Sequence, residues 1–170
     1  MLDLPLGLNL RIAAEADTPF LAQLYRTTRQ DLQQINQNEE FLDAFINMQF
    51  NAQKTGYSQQ FPNAIYWVVE LHDLAIGKVT LDFTSDLVHL IDFAIDPKFQ
   101  NKGYGQAVVQ SLQMAAQKVA APLLISVAKD NYLGVKLYKQ LGFTFDASSP
   151  SAMYQRMIWY PESIKQYSFS

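Results

Sequence analysis

The sequence predicts one α/β domain, residues 1–170, with helices packed on the faces of a mixed sheet. Three observations carry that reading. Pro122 to Ala128 is nearly all apolar, as in a central strand covered on both sides. Three strand-like runs follow one another between Ala64 and Ile95, divided by short polar turns. Four other stretches repeat apolar residues at helical spacing.

Taken in order, Leu8 to Ile12 reads as a first strand. Asp17 offers a helix N-cap, Pro19 falls in the first turn, and Phe20, Leu21, Leu24 and Tyr25 form the buried stripe. A second helix spans about Glu39 to Gln53, with Phe41, Leu42, Phe45, Ile46 and Met48 mostly on one side. Lys54 to Asn63 reads as a loop rich in aromatic and amide side chains. Ala64 to Leu71 is a strand that turns at His72-Asp73 into its partner, Ala75 to Phe83. Leu87 to Ile95 follows, and Asp96-Pro97 stops it because proline cannot donate to a ladder. A helix from about Gly103 to Val119 buries Val108, Leu112, Ala115, Ala116 and Val119. The helix from Tyr132 to Gln140 ends at Gly142, a C-cap glycine. Phe143 to Asp146 and Met153 to Trp159 are the last two strands. The pattern is βαα-βββ-αβ-αβ-β, without repeat or linker.

Composition narrows the function. Apolar residues make up 49% of the chain and charged residues 17%, enough for a core and too apolar for disorder. The net charge of -3 and the lack of a basic stripe argue against nucleic acid. With no cysteine, a thiolate metal site, a disulfide framework and a cysteine nucleophile are all excluded. The first residues resemble no signal peptide, and no run nears the ~20 apolar residues of a membrane span. The expectation is a soluble cytoplasmic protein with no membrane partner and no metal.

The chemistry concentrates between Ile91 and Gly105, where a strand, a sharp loop and a helix start follow in sequence. Gly103 and Gly105 alternate at the entry to the helix. Glycine accepts positive φ and close approach of another group. The first amides of a helix lack partners within it, and the macrodipole adds partial positive charge, so a pyrophosphate fits there. A dinucleotide fingerprint requires a third glycine where Val108 stands and an acidic residue near Leu124 to Ser126; both are missing. No Gly-Lys-Ser/Thr follows, so the segment is not a Walker loop either.

Gln100-x-x-Gly103-x-Gly105 after Phe93-Ala94-Ile95-Asp96-Pro97 resembles the acetyl-coenzyme A signature of the GNAT N-acetyltransferase superfamily. Asn131, Tyr138 and Leu141-Gly142-Phe143 resemble the family's second block, with Gly134 where alanine is usual. Leu10 to Asp17 resembles its first strand and helix. The resemblance implies a mostly antiparallel sheet of six to seven strands in which the strand ending at Ile95 splays from the strand at Leu123 to Val127. Acetyl-CoA would lie in that gap. The backbone of Phe93, Ala94 and Ile95 would bond its pantetheine arm, and Gln100, Asn101, Lys102, Gly103, Tyr104, Gly105 and Gln106 would hold its pyrophosphate. In relatives the counterpart of Asn131 also touches the cofactor, beyond capping the next helix. Lys98 and Lys136 are weaker phosphate partners than Lys102.

The implied reaction is acetyl transfer to a primary amine, on a small molecule or a peptide, through a ternary complex. Tyr138 would supply a proton as coenzyme A leaves as a thiolate. A primary alkyl amine of pKa ~10 is neutral in about one molecule in a thousand at pH 7, whereas an α-amino group near pKa 8 is short by about tenfold. His89 lies on the strand where some relatives place a glutamate base, and Asp92 is the second candidate. A two-residue period places the two on opposite faces. Ser126 replaces an acidic residue of other relatives, and deprotonation through water is the third route. Phe50, Tyr57, Phe61, Tyr66 and Trp67 are candidates to shape the acceptor pocket, and Glu39, Glu40 and Asp43 to attract a cation. Family members are often dimers, so a homodimer is an expectation of the resemblance alone. A catalytically inert acyl-CoA sensor on the same fold is the rival reading. A nucleotide-binding domain is the weaker rival.

Overall fold

The computed structural model describes residue 2 and residues 4–35, 38–147 and 153–165. Seven strands form one sheet: β1 (Leu8–Ile12), β2 (Ile65–Leu71), β3 (Leu74–Phe83), β4 (Val88–Ile95), β5 (Leu123–Ala128), β6 (Thr144–Asp146) and β7 (Tyr154–Trp159). Their order is β1-β2-β3-β4-β5-β7-β6, and every neighbouring pair is antiparallel except β4 with β5. The helices are α1 (Thr18–Thr28), α2 (Gln30–Gln33), α3 (Glu39–Gln60), α4 (Tyr104–Lys118), α5 (Tyr132–Gln140) and α6 (Glu162–Lys165).

Two apolar clusters divide the sheet's faces. The larger one joins Val79, Leu81, Leu90, Ile95, Ile125 and Met157 to Val108, Val109 and Leu112 of α4 and to Tyr138 of α5. The smaller one joins Tyr25, Leu32, Ile46 and Phe50 from α1, α2 and α3. β5 behaves as its apolar run predicts: Leu123, Leu124, Ile125 and Val127 are all buried. The β2–β3 hairpin closes through His72 and Asp73, both at positive φ (47° and 68°), a two-residue turn that matches strand twist.

Three expectations are corrected. Residues 54–60 are not loop but the last turns of α3, which runs to Gln60. No proline falls between Glu39 and Pro62, and extending a formed helix costs far less than nucleating one, so amide and glycine residues on its open side are carried along. Val119 is 67% exposed, because α4 ends at Lys118 and Val119 is its C-cap. Asp17 stands at the N-cap of α1 without capping it. Its carboxylate instead takes Nη1 and Nη2 of Arg11, each at 2.8 Å, and the amide of Ala14 at 2.7 Å.

Arg11 also donates Nε to Glu70 at 2.9 Å, so one guanidinium ties β1 to β2 and to the entrance of α1. The Arg11 bond, helped by the Ala14 amide, holds the Asp17 carboxyl at about 2. The pairing fixes where α1 begins, and α1 covers the sheet face on which the cavity described below lies. Asp17→Ala should destabilise the fold by about 2 kcal/mol, the range of charge-assisted bonds in a partly dry site. Denaturant unfolding checks this; a midpoint unmoved from the parent's would show that the Arg11 network contributes nothing.

Candidate functional site

β4 meets β5 only at its start. The parallel register pairs Val88 with Leu123, His89 with Leu124 and Leu90 with Ile125, and goes no further. At that point β4 carries an extra residue: Leu90 opposes Leu81 and Asp92 opposes Thr80, leaving Ile91 as a bulge. A bulge bends its strand and sharpens the local twist. Beyond it, Asp92, Phe93, Ala94 and Ile95 stay paired to β3, while Ser126, Val127 and Ala128 stay paired to β7. The facing edges of the two strands therefore part. Backbone polar groups along such edges are available to an extended ligand.

The loop below the parting is braced from within. The carboxylate of Asp96 accepts the Lys98 amide at 3.0 Å, and Gln100 donates its side-chain amide to the Ile95 carbonyl at 2.9 Å. Gln100's side chain is thus a brace for the loop. Asn101 and Gly103 take φ of 62° and 85°, and at Gly103 a side chain would be strained. The helical ladder of α4 opens with Ala107 donating to Gly103 at 3.0 Å, so the amides of Tyr104, Gly105 and Gln106 precede it. A Cβ on Gly103 would meet nothing within 4 Å, so the space over this helix start is open. Gly105 packs α4 on β4, its absent Cβ 3.7 Å from the Phe93 ring and 3.8 Å from Ile95. Lys102 holds its ammonium 5.9 Å from the centre of the Phe99 ring. The arrangement suits an extended ligand with a doubly charged phosphate end.

On the opposite face of β4 the bulge changes the expected geometry. His89 opposes Asp82 and Asp92 opposes Thr80, and Thr80 and Asp82 share a face two residues apart. His89 and Asp92 therefore lie on the same face, not opposite ones, because Ile91 inserts one residue between them. That face looks toward α1 and α3. Here Phe50, Tyr57, Tyr66, Trp67, Lys78 and Asp92 surround a cavity of about 60 Å³. Phe50 and Tyr57 reach it from one side of α3, seven residues apart, which is why the helical extension matters.

Asp92 is ion-paired with Lys78, Oδ2 to Nζ at 2.6 Å. Burial raises the pKa of the Tyr57, Tyr66, Tyr138 and Tyr154 phenols, and in each the negative charge of Asp92 adds to the rise. Asp92 thus lies within electrostatic reach of the cavity and of Tyr138 on α5. The Tyr138 ring is buried and packs on Phe143 with centroids 5.8 Å apart. Asn131 caps α5, accepting the Gly134 amide at 2.9 Å.

His89 stands apart from the cavity, in the paired part of β4. Its Nε2 is 2.9 Å from the Ser126 hydroxyl, and the ring of Phe61 meets it edge-on at 5.4 Å. Burial lowers its pKa to about 4; Arg156 pushes the same way and Asp82 opposes. Glu39 and Glu40 occupy the first turn of α3, and Asp43 pairs with Arg26, so this acidic group serves helix ends and contacts between helices. Lys78 and Thr80 were absent from the sequence reading. The alternation Lys78, Thr80, Asp82 against Val79 and Leu81 was their signal: a polar strand face turned toward helices rather than water.

Most of the chain, residues 21–143, matches the model of the acetyltransferase (GNAT) family. Among solved structures, it is similar to the PaiA N-acetyltransferase of Thermoplasma acidophilum in complex with coenzyme A (16% identity, 89% of this chain and 99% of that one, TM-score 0.63). An acetyltransferase from Thermus thermophilus is similar too (13% identity, 93% and 99%, TM-score 0.66). So is RimL, a ribosomal alpha-N-protein acetyltransferase, in complex with coenzyme A (15% identity, 95% and 98%, TM-score 0.64). At these identities the likeness is one of fold. A search of curated protein sequences returned no match.

Among the described residues no helix is long and apolar enough to cross a membrane, and no group of three or more His, Cys, Asp or Glu side chains is placed to hold a metal.

His89 generates the prediction here. It is neutral in the folded chain down to about pH 4, and its unfolded counterpart takes a proton near 6.5, so the unfolded state binds more protons between the two. Stability therefore rises with pH across that window, and the contribution is lost as pH falls through it, by on the order of 3 kcal/mol. His89→Gln should flatten this part of the stability–pH curve; an identical slope in parent and variant would place the histidine in water.

Proposed function

The chain belongs to the acetyltransferase (GNAT) family, and from that premise we propose that it transfers the acetyl group of acetyl-CoA to a primary amine within a ternary complex. One observation carries the proposal: β4 and β5 part immediately after Leu90 and Ile125, between the amide-rich start of α4 on one face and Asp92 on the other. The N-acetyltransferases of the same fold that hold coenzyme A support the choice of cofactor.

Acetyl-CoA supplies an electrophilic thioester carbon and a sulfur that leaves. The amides of residues 101 to 106 would bind its pyrophosphate, with Lys102 beside them. The parted edges at Phe93, Ala94 and Ile95 would bond the pantetheine amides as a strand would. Gln100 holds the loop in position through Ile95 rather than binding by its side chain, and Asn131 adds the start of α5 to the wall.

The acceptor amine approaches from the α1–α3 face. Of the two groups considered as its base, Asp92 lines the cavity, whereas His89 is packed between Phe61 and Ser126. A pKa of about 4 also makes His89 a weak proton acceptor at neutral pH. We assign Asp92 to hold the ammonium and to receive its proton, directly or through a water. At pH 7 a peptide α-amino group needs about tenfold help and an alkyl amine of pKa ~10 about a thousandfold, and a carboxylate that takes the proton works in that direction.

Tyr138 is the proton source for the sulfur. Burial and the charge of Asp92 keep its phenol protonated through neutral pH, so it donates a hydrogen bond to the sulfur as negative charge builds there. An inert acyl-CoA sensor has no use for this phenol.

Tyr138→Phe separates the two. Turnover should fall about 100-fold, the lower range for a lost general acid, while acetyl-CoA stabilises parent and variant alike in a thermal-shift titration. Coenzyme A release followed by a thiol reagent reads the first, melting temperature the second. Undiminished turnover would remove Tyr138 from the reaction, and no stabilisation of the parent by acetyl-CoA would remove the function itself.

A further inference from the structure

The Lys78–Asp92 pair carries information about the acceptor. Both side chains are nearly dry, at 11% and 22% exposure, and they meet at 2.6 Å. The cavity they enter is otherwise walled mainly by rings and aliphatic groups, among them Leu21, Phe50, Tyr66 and Trp67. Any amine that takes Asp92 competes with Lys78. If the amine is the acceptor's only charge, Lys78 is left as an unpaired cation in an apolar pocket, which is strongly unfavourable. An acceptor with a carboxylate beside its amine removes that difficulty. Its ammonium pairs with Asp92, its carboxylate with Lys78, and one ion pair becomes two without a stranded charge.

Resting on the transferase reading above, we propose that the acceptor is a free α-amino acid with an apolar side chain, and that Lys78 reads its carboxylate. The register places Lys78 opposite Ala94 and Thr80 opposite Asp92, so the carboxylate end lies two residues along β3 from the amine end. The Lys78 and Asp92 side chains converge from those positions to 2.6 Å, so the adjacent ammonium and carboxylate of an α-amino acid can reach both, and the ring-lined wall faces its apolar side chain. Two aromatic residues reach the cavity from α3 and two from β2, which leaves little for a polar side chain to bond.

The reaction also resets the pair. The acceptor ammonium gives one proton to Asp92 or water, its nitrogen bonds the acetyl carbon as the carbon–sulfur bond breaks, its second proton replaces the one Tyr138 gives to the sulfur, and Asp92 passes its own proton to water. The product amide has no charge for Asp92. Lys78 and Asp92 close on each other again, and the acetylated amino acid is released. A peptide N-terminus lacks the neighbouring carboxylate and would not be favoured.

Matched acceptors test this. L-Leucine and L-phenylalanine are compared with isopentylamine and phenethylamine, which lack only the carboxylate, and with leucinamide, which keeps the α-amine but masks the charge. Coenzyme A release should favour each amino acid at least tenfold in kcat/KM over both controls. Lys78→Met should erase that preference chiefly through KM, and Lys78→Arg should restore much of it. The parent's ranking decides the proposal even if the methionine variant does not fold. Amines, leucinamide or peptides used as well as the amino acids would overturn it, as would no turnover of any amino acid by a chain that acetyl-CoA stabilises; both outcomes leave cofactor binding standing. Failure of acetyl-CoA itself to raise the melting temperature would instead remove the transferase reading and this inference with it.

Discussion

A strand that carries one residue more than its partner must bend, and a bent strand cannot stay in register with neighbours on both sides. β4 resolves this at Ile91. It keeps its antiparallel ladder with β3 out to Ile95 and gives up its parallel ladder with β5 after Leu90. Both features of the candidate site follow from that choice. The parting opens a slot that leads to the amide-rich start of α4. The parity change turns Asp92 onto the same face as His89, toward the helices of the first half of the chain.

The remaining structure serves to keep that bend from healing. β5 is locked to β7 along its whole length, from Leu123 with Trp159 to Ala128 with Tyr154, so it cannot follow β4. Gly105 lets α4 sit on Phe93 and Ile95 at ordinary contact distance, which holds the bent strand from one face. Gln100 pins the loop to the strand end. On the other face, the Arg11–Asp17–Glu70 network sets the entry of α1, and α3 lays Phe50 and Tyr57 over the cavity. The helix start is open at Gly103, where an anion can reach its amides.

Much of this was visible in the residues. The unbroken apolar run of β5, the stop at Asp96-Pro97 and the glycine pair at 103 and 105 place the parting strand, the loop and the helix correctly because each is a local signal. Tyr138 and Asn131 were singled out by motif; the structure buries the first on α5 and makes the second the cap of that helix. What escaped was non-local or balanced between two states. A bulge has no sequence mark at Ile91, so alternation alone misassigned the faces of His89 and Asp92. The end of α3 reads as loop because glycine, serine and amides dominate it; helix wins there through the earlier turns and through burial of Tyr57. Lys78 drew no notice because a lysine on a strand suggests water, and only the packed helices make it a buried partner for Asp92.

The account rests on the claim that parted strands and a helix start together grip one extended, diphosphate-bearing molecule. A crystal structure with coenzyme A bound tests it most directly. The account predicts diphosphate oxygens within about 3 Å of main-chain amides between residues 101 and 106. It also predicts the pantetheine arm beside Phe93 to Ile95, with β4 and β5 still apart beyond Leu90 and Ile125. Coenzyme A bound elsewhere on the surface, or a β4–β5 ladder closed through to Ile95, would contradict it.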